Sequence, residues 1–287
     1  MTNRRRLEKA VPWAVIIGSL GLWELASVAF GIPKFILPAP SAIIESLLKW
    51  YSEIGYHAGW TLLTTTVGFG LAVVGGTMLG IAIGASRVVY SGLYPLLIAF
   101  NSVPKVAIVP VLVIWFGIGE IPAIITAFML AFFPILVNVA TGLATIDPQL
   151  EDVLRALGAR KIDILVKVGI PGSMPYFFAS LKIAITLALV GSVVSETVAS
   201  NAGIGFLMMS ATSRFDVALV FAGLFVVAIM GVLIHGVCAK LERRFTGWAT
   251  RKLDVPAAGS RSAEPSTLID RAATMWRGPC VPLIWNK

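Results

Sequence analysis

Long apolar runs separated by short polar stretches dominate this chain. Six of them, Val11–Phe30, Thr61–Ala85, Tyr94–Phe116, Ile121–Leu143, Phe177–Ala199 and Val217–Ala239, meet or approach the length of a membrane crossing. A bilayer core takes about 20 apolar residues as helix. The pattern therefore predicts an all-α polytopic membrane protein with six transmembrane helices. The first run follows a basic cluster, Arg4, Arg5, Arg6 and Lys9. That arrangement also opens signal peptides. This run is long for one, and no small-x-small cleavage site follows, so an uncleaved first helix is expected.

Polar positions divide the chain further. Residues 1–60 hold the first helix and an outer segment, 61–245 a core of five helices, and 246–287 a tail. The tail reads as flexible, because Val255–Thr267 is rich in Pro, Ala, Gly and Ser. Its Trp276 and Trp285 have no physical account. In the outer segment Leu37-Pro38-Ala39-Pro40 forms a stiff connector, and Ser41 is expected to cap the helix that follows. There Ile43, Ile44, Leu47, Leu48, Tyr51 and Ile54 fall on one face. Two readings stand: a helix lying on the outer membrane surface, or one packed against the spans.

Composition agrees with the pattern. Of 287 residues, 57% are hydrophobic and 13% charged, against roughly 25% charged in soluble domains. Mean hydropathy is +0.87. So few charges could hardly cover a soluble surface, and a disordered chain is excluded. The formal net charge is +8. With a cytoplasmic N-terminus, the inner side collects Arg4, Arg5, Arg6, Lys9, Arg87, Arg155, Arg160, Lys161, Lys167 and Lys182. Lys240, Arg243, Arg244, Arg251 and Lys252 join them after the last helix. The outer side keeps Lys34, Lys49 and Arg214. This satisfies the positive-inside rule with both termini cytoplasmic, and the charge reads as topology rather than as a nucleic-acid surface. Cys238 and Cys280 show no paired spacing, so no disulfide framework or metal site is expected.

Several intramembrane positions stand out. Gly68, Ala72, Gly76, Gly80 and Gly84 recur every four residues in the second span. Such a stripe admits a close neighbouring backbone, either within the chain or in a second copy. The third run contains Pro104, Lys105 and Pro110, which predicts a kinked helix. Lys105 either reaches the cytoplasmic surface or faces the pathway or a partner. Pro134, and Glu24 in the first helix, raise similar questions.

The stretch Thr145–Tyr176 is the most informative polar region. Asp147 suits a helix N-cap, Pro148 the first helical position and Gly158 the C-terminal stop. Leu150, Val153, Leu154 and Leu157 between them form an apolar face. Glu151 and Asp152 sit near the positive end of the helix dipole. A second helical piece is expected over Lys161–Val168, running into Ile170-Pro171. So short a helix is not stable alone. The membrane surface, the bundle or the groove of a partner protein must cover its apolar face.

Asp152–Pro171 resembles the EAA loop of binding-protein-dependent ABC importer permeases. Gly158 and Pro171 keep the family spacing, and Val168 and Ile170 replace its isoleucine and leucine conservatively. Asp152 stands for the glutamate, while Val153 and Leu154 replace the two alanines. Nitrate, sulfonate and taurine permeases look closer still. The resemblance includes Leu37–Ser41, Val103–Gly117, Phe132–Asn138, Ile146-Asp147-Pro148 and Leu181–Ala184, with Glu196 and Gly203-Ile204-Gly205.

The resemblance implies a MetI-like type I fold and a coupling site for a cytosolic ABC ATPase dimer. That site is Asp147, Pro148, Glu151, Asp152, Gly158 and Pro171, with Leu154 and Leu157 added from the apolar face. It also implies a solute-binding protein on the outer side, a second permease copy as a homodimer, and an inner-membrane location. Pro104, Lys105, Glu196, Gly203 and Gly205 are candidates for translocation or gating. Glu196 is alternatively read as fixing a helix end and its loop. The chain has no Gly-Lys pair, hence no phosphate-binding loop. No cofactor is expected on it, and ATP and Mg belong to the partner ATPase.

Other classes fit less well. An intramembrane protease needs a nucleophile with a base. His57 and His235 lie at opposite sides of the expected bundle, Gly84-Ala85-Ser86-Arg87 lacks a rhomboid-like glycine, and no H-E-x-x-H occurs. A stand-alone ion-coupled secondary transporter is the alternative, but it leaves the amphipathic cytoplasmic helix unexplained. Substrate choice stays open among nitrate, sulfonates, taurine and thiamine-type pyrimidine precursors.

Overall fold

The computed structural model describes residues 2–146 and 148–250, the side chains of 2–10, 12, 13, 87 and 246–250 excepted. All regular structure among them is helical. Helices α1 (Thr2–Ala29) and α2 (Pro40–Lys49) precede the long α3 (Tyr51–Gly84). Helices α4 (Arg87–Ser102) and α5 (Val109–Phe116) flank a 3-10 turn, Lys105–Ile108. Then come α6 (Glu120–Ala144), α7 (Pro148–Ala156) and α8 (Lys161–Ile164). A π turn, Leu165–Gly169, leads into α9 (Ile170–Ala199), followed by α10 (Ile204–Ser213) and α11 (Val217–Thr250).

Four stretches are long and apolar enough to cross a bilayer: Tyr51–Gly84, Glu120–Ala144, Lys161–Ala199 and Val217–Phe245. The α4–α5 pair, bent by 65°, has the length and composition of either a broken span or a re-entrant loop. The described side chains of α1 include a shorter apolar helix, Ala14–Ala29. The described residues thus carry four candidate spans, or five with the bent pair. Leu22, Ile114 and Val232 turn outward, each at least 70% exposed, as lipid-facing residues must.

The third run is broken where the sequence predicts a kink. Val103 takes extended backbone (φ −67°, ψ 129°), the conformation imposed on a residue before proline. Pro110 sits in the first turn of α5, where its missing N–H costs nothing. Pro95, Pro134 and Pro175 lie inside helices that continue through them.

Helices α3, α6 and α9 form the centre, around Ala72, Ala127, Ala131, Ile135, Val139 and Ala184. The small-residue stripe of α3 lies on α6. A Cβ added at Gly68 would stand 2.6 Å from the Ile124 carbonyl oxygen. At Gly80 it would stand 2.8 Å from the Val139 Cβ, and at Gly84 2.8 Å from the Ala140 oxygen. Lipid tails are as apolar as leucine, so close backbone contact is what holds two such helices together. The stripe is used within the chain.

The outer segment differs from a helix lying on a membrane. Its apolar positions divide between α2 and the first turns of α3, which join at Trp50. Ile43 and Ile54 are buried with Ile204, Leu207 and Leu219, whereas Ile44, Leu48 and Tyr51 face outward. Of the two readings, packing against the spans is the observed one. Ser41 is not the N-cap either: Ala39 takes that place and Pro40 the first turn. Glu24 of α1 supplies the acceptor instead, with its carboxylate 3.0 Å from the Ser41 N and 2.8 Å from its Oγ.

The α9 and α11 helices are tied by Lys182 and Glu242, 2.7 Å apart, and by stacked Phe178 and Phe245 rings. Helices α6 and α9 fix two ends of the bundle. Helix α7 follows the C-terminus of α6, and α10 follows the C-terminus of α9, which the Gly119 N–H meets at the start of α6.

Candidate functional site

At one end, α7 starts at Pro148 and stops at Gly158. Asp147, the expected N-cap, lies outside the described residues, as does the tail from residue 251 with Cys280, Trp276 and Trp285. The stop is a Schellman arrangement. The Gly158 N–H donates to the Arg155 oxygen at 2.9 Å, and the Ala159 N–H to the Leu154 oxygen at 3.0 Å. Gly158 has φ +86°, a left-handed conformation that a Cβ disfavours. Glu151 pairs with Arg155 one turn on, at 2.5 Å.

The predicted coupling residues divide over two surfaces. Pro148, Glu151 and Asp152 line a cleft of about 460 Å³ facing Gly84, Ser86 and Lys161. Leu154, Leu157 and Gly158 line a separate groove of about 340 Å³ with Ile164 and Val168. No residue of α7 is buried, and Leu157 is 78% exposed. Among the described residues, Leu150, Val153 and Leu157 of the apolar face are exposed and Leu154 is half-buried.

Pro171 does not end a separate loop helix. It lies in the first turn of α9, and the path from Lys161 to Ala199 is one continuous span. The π turn over Leu165–Gly169 rearranges the carbonyl ladder just before the proline, which has no N–H to offer. The expected loop 145–176 therefore overlaps the first turns of α9.

At the other end a buried carboxylate organises three helices. Glu196 of α9 is 2% exposed. Its Oε2 accepts from the Thr61 hydroxyl at 2.8 Å and the Gly205 N–H at 3.1 Å. Its Oε1 lies within hydrogen-bond distance of the Thr64 and Ser192 hydroxyls, at 3.2 and 3.3 Å; those two hydroxyls also contact each other, and their two protons serve two of these three contacts. The Ile204 N–H donates to the Thr61 Oγ1 at 2.8 Å, and the Gly203 N–H to the His57 Nδ1 at 3.1 Å. Gly203 (φ +103°) passes so close that a Cβ there would stand 2.2 Å from the Glu196 Cδ.

Glu196, Gly203 and Gly205 are thus brought together. Pro104 and Lys105 lie apart from them, at the break in the α4–α5 pair. The Lys105 Nζ donates to the Asn101 oxygen at 3.0 Å and its Oδ1 at 3.1 Å, and lies 4.7 Å from the Phe133 ring centre.

Sequence reasoning missed Thr61, Thr64 and Ser192 as partners of Glu196, and His57 as the acceptor of the Gly203 N–H. The signal was present as two helical repeats. His57, Thr61 and Thr64 fall at i, i+4 and i+7 on α3, and Ser192 and Glu196 at i and i+4 on α9. Among the described residues, no three His, Cys, Asp or Glu side chains gather as metal ligands would.

Comparison with known proteins agrees with this architecture. Residues 72–247 match the family described as binding-protein-dependent transport system inner membrane component. The formylaminopyrimidine transport permease protein ThiX of Halalkalibacterium halodurans is 28% identical over 250 residues, covering 87% of this chain and 100% of the relative. The taurine transport system permease protein TauC of Escherichia coli is 30% identical, covering 79% of this chain and 84% of that one. An inward-facing structure of the MetNI methionine ABC transporter superposes with a TM-score of 0.58 at 21% identity, over 66% of this chain and 94% of that one.

The chain belongs to the family of binding-protein-dependent transport system inner membrane components. It is a multi-pass membrane protein with the MetI-like fold, the permease subunit of an ABC importer for small solutes. It is not an enzyme, and ATP hydrolysis belongs to a separate subunit. Family membership decides against the stand-alone porter.

Proposed function

We propose that two copies of this chain form the translocation pathway for a small solute of the nitrate, sulfonate or taurine kind, or a related small organic molecule. A solute-binding protein delivers it on the outer side, and two cytosolic ATPases drive it. Both termini are cytoplasmic. The basic residues Arg155, Arg160, Lys161 and Lys167, in and after α7, support reading its end of the bundle as the inner one.

The observation that carries this reading is α7 itself. It has an explicit start and stop, and most of its apolar face is exposed among the described residues. A helix laid into a groove is a recurrent mode of recognition. In this reading Asp147, Pro148, Glu151, Asp152, Leu154, Leu157 and Gly158 form the ATPase contact, and Pro171 anchors the following span. ATP and Mg act in the ATPase. Closure of the two ATPases pushes the two α7 helices together and turns the bundle outward.

Substrate choice rests with the binding protein. The relatives named above carry formylaminopyrimidine and taurine in their names, and solutes of that size are the ones to test. The decisive experiment is co-purification with a cytosolic ABC ATPase from the same organism. The Gly158→Asp variant should insert normally, lose ATPase capture and lose transport. Normal capture by that variant would overturn the coupling assignment.

A further inference from the structure

Helix α10 has ten residues, about 15 Å of helix, and cannot cross a bilayer. Its N-terminus is buried, with Ile204 and Gly205 both inaccessible. A helix start carries N–H groups without intrahelical acceptors, and burying them unpaired is costly. Here three consecutive N–H groups are all taken by side chains of other helices. Gly203 donates to His57, Ile204 to Thr61 and Gly205 to Glu196. Thr61 then donates its own hydroxyl to Glu196, closing the set. Helix α10 is therefore capped in trans by α3 and α9, and no side chain of its own contributes.

The geometry points to Glu196, Thr61 and His57 as positioning residues of the transport cycle, which hold α10 in its seat at the end of the bundle opposite α7. Resting on the permease reading above, this assignment adds what the acid does. Glu196, Thr61, Thr64 and Ser192 are all buried, at 2% exposure or less. Glu196 borders an open cleft, but at 2% exposure it offers a docking protein almost no surface. Loss of these side chains is therefore expected to act on turnover rather than on the encounter with the binding protein. Helix α10 itself reaches the surface through Met209, Ser213 and Arg214, which border an open cleft of about 570 Å³.

The test uses the full chain with its ATPase and loaded binding protein in liposomes. Glu196→Ala should lower the maximal uptake rate about ten-fold or more, with the KM for loaded binding protein within about two-fold of the parent. Glu196→Gln keeps an acceptor for Gly205 and should recover most of the rate. Thr61→Val, of similar volume but without the bridging hydroxyl, should fall like Glu196→Ala, and Thr61→Ser should not. Thr61→Val decides the matter if Glu196→Ala fails to insert.

The seat is also read without transport. Spin labels at Tyr56 and Met209, in a background with Cys238 and Cys280 replaced, should give a narrow distance distribution in the parent and a broad one in Thr61→Val. A parent that shows no ATP-driven uptake would overturn the permease reading, and the distance measurement would still judge the seat. Parental uptake in Thr61→Val, a loss confined to KM, or an unchanged distance distribution would each overturn the assignment.

Discussion

The backbone N–H and the hydroxyl of Ser41 both end on the carboxylate of Glu24, at 3.0 and 2.8 Å. A charge that reads as a functional candidate in the first span is the cap of the next helix. Removing it leaves the start of α2 without an acceptor. Glu24→Ala should cost about 1 kcal/mol, the usual value of an N-cap, and Ser41→Ala less, since the backbone bond survives. Thermal unfolding in detergent checks both, and equal midpoints for parent and Glu24→Ala would refute the cap.

The α3 stripe makes a sharper contrast. Gly80→Ala places a Cβ 2.8 Å from that of Val139, and such overpacking costs about 1–3 kcal/mol. Gly70, on the same helix, has open space around it. Gly70→Ala should leave stability unchanged or slightly raised. Denaturant titration of the two variants in mixed micelles measures the difference. Equal behaviour would mean that α3 and α6 do not pack as described.

Leu157 should separate coupling from folding. It is 78% exposed, so Leu157→Ser removes almost no intrachain contact and should shift stability by no more than about 0.5 kcal/mol. ATPase capture should nonetheless weaken about ten-fold or more, as for a truncated anchor in a groove. Titration of the ATPase against immobilised permease reads this directly.

The Lys182–Glu242 pair invites a double-mutant cycle. Its side chains are 28% and 20% exposed. Replacing one partner removes an ion-pair contact of the other, whereas replacing both with apolar residues removes the charges together. Lys182→Met and Glu242→Leu should each destabilise, and the double variant should recover toward the parent, with a coupling of about 0.5–3 kcal/mol. Additive losses would show that the pair does not interact.

Legibility in the sequence followed distance along the chain. Pro148 and Gly158 announce the start and stop of α7, because a helix start and a left-handed stop are local conformational needs. Val103-Pro104 announces the break between α4 and α5 for the same reason. The local rule failed at Ser41. Pro40 moved the helix start back by two positions, and an acid 17 residues away took over the capping. At Glu196 the partner Thr61 is 135 residues away, and no periodicity links the two.

The sequence by itself determined that this chain is an all-helical membrane protein, and where helix α7 begins and ends. A bilayer leaves each backbone group no partner outside its own helix, so apolar runs translate into helices without knowledge of their neighbours. Only the tertiary structure decided which polar side chains close the remaining helix ends. The starts of α2 and α10 have donors that their own helices cannot satisfy. The acceptors, Glu24 in one case and His57, Thr61 and Glu196 in the other, arrive from helices that packing alone brings near.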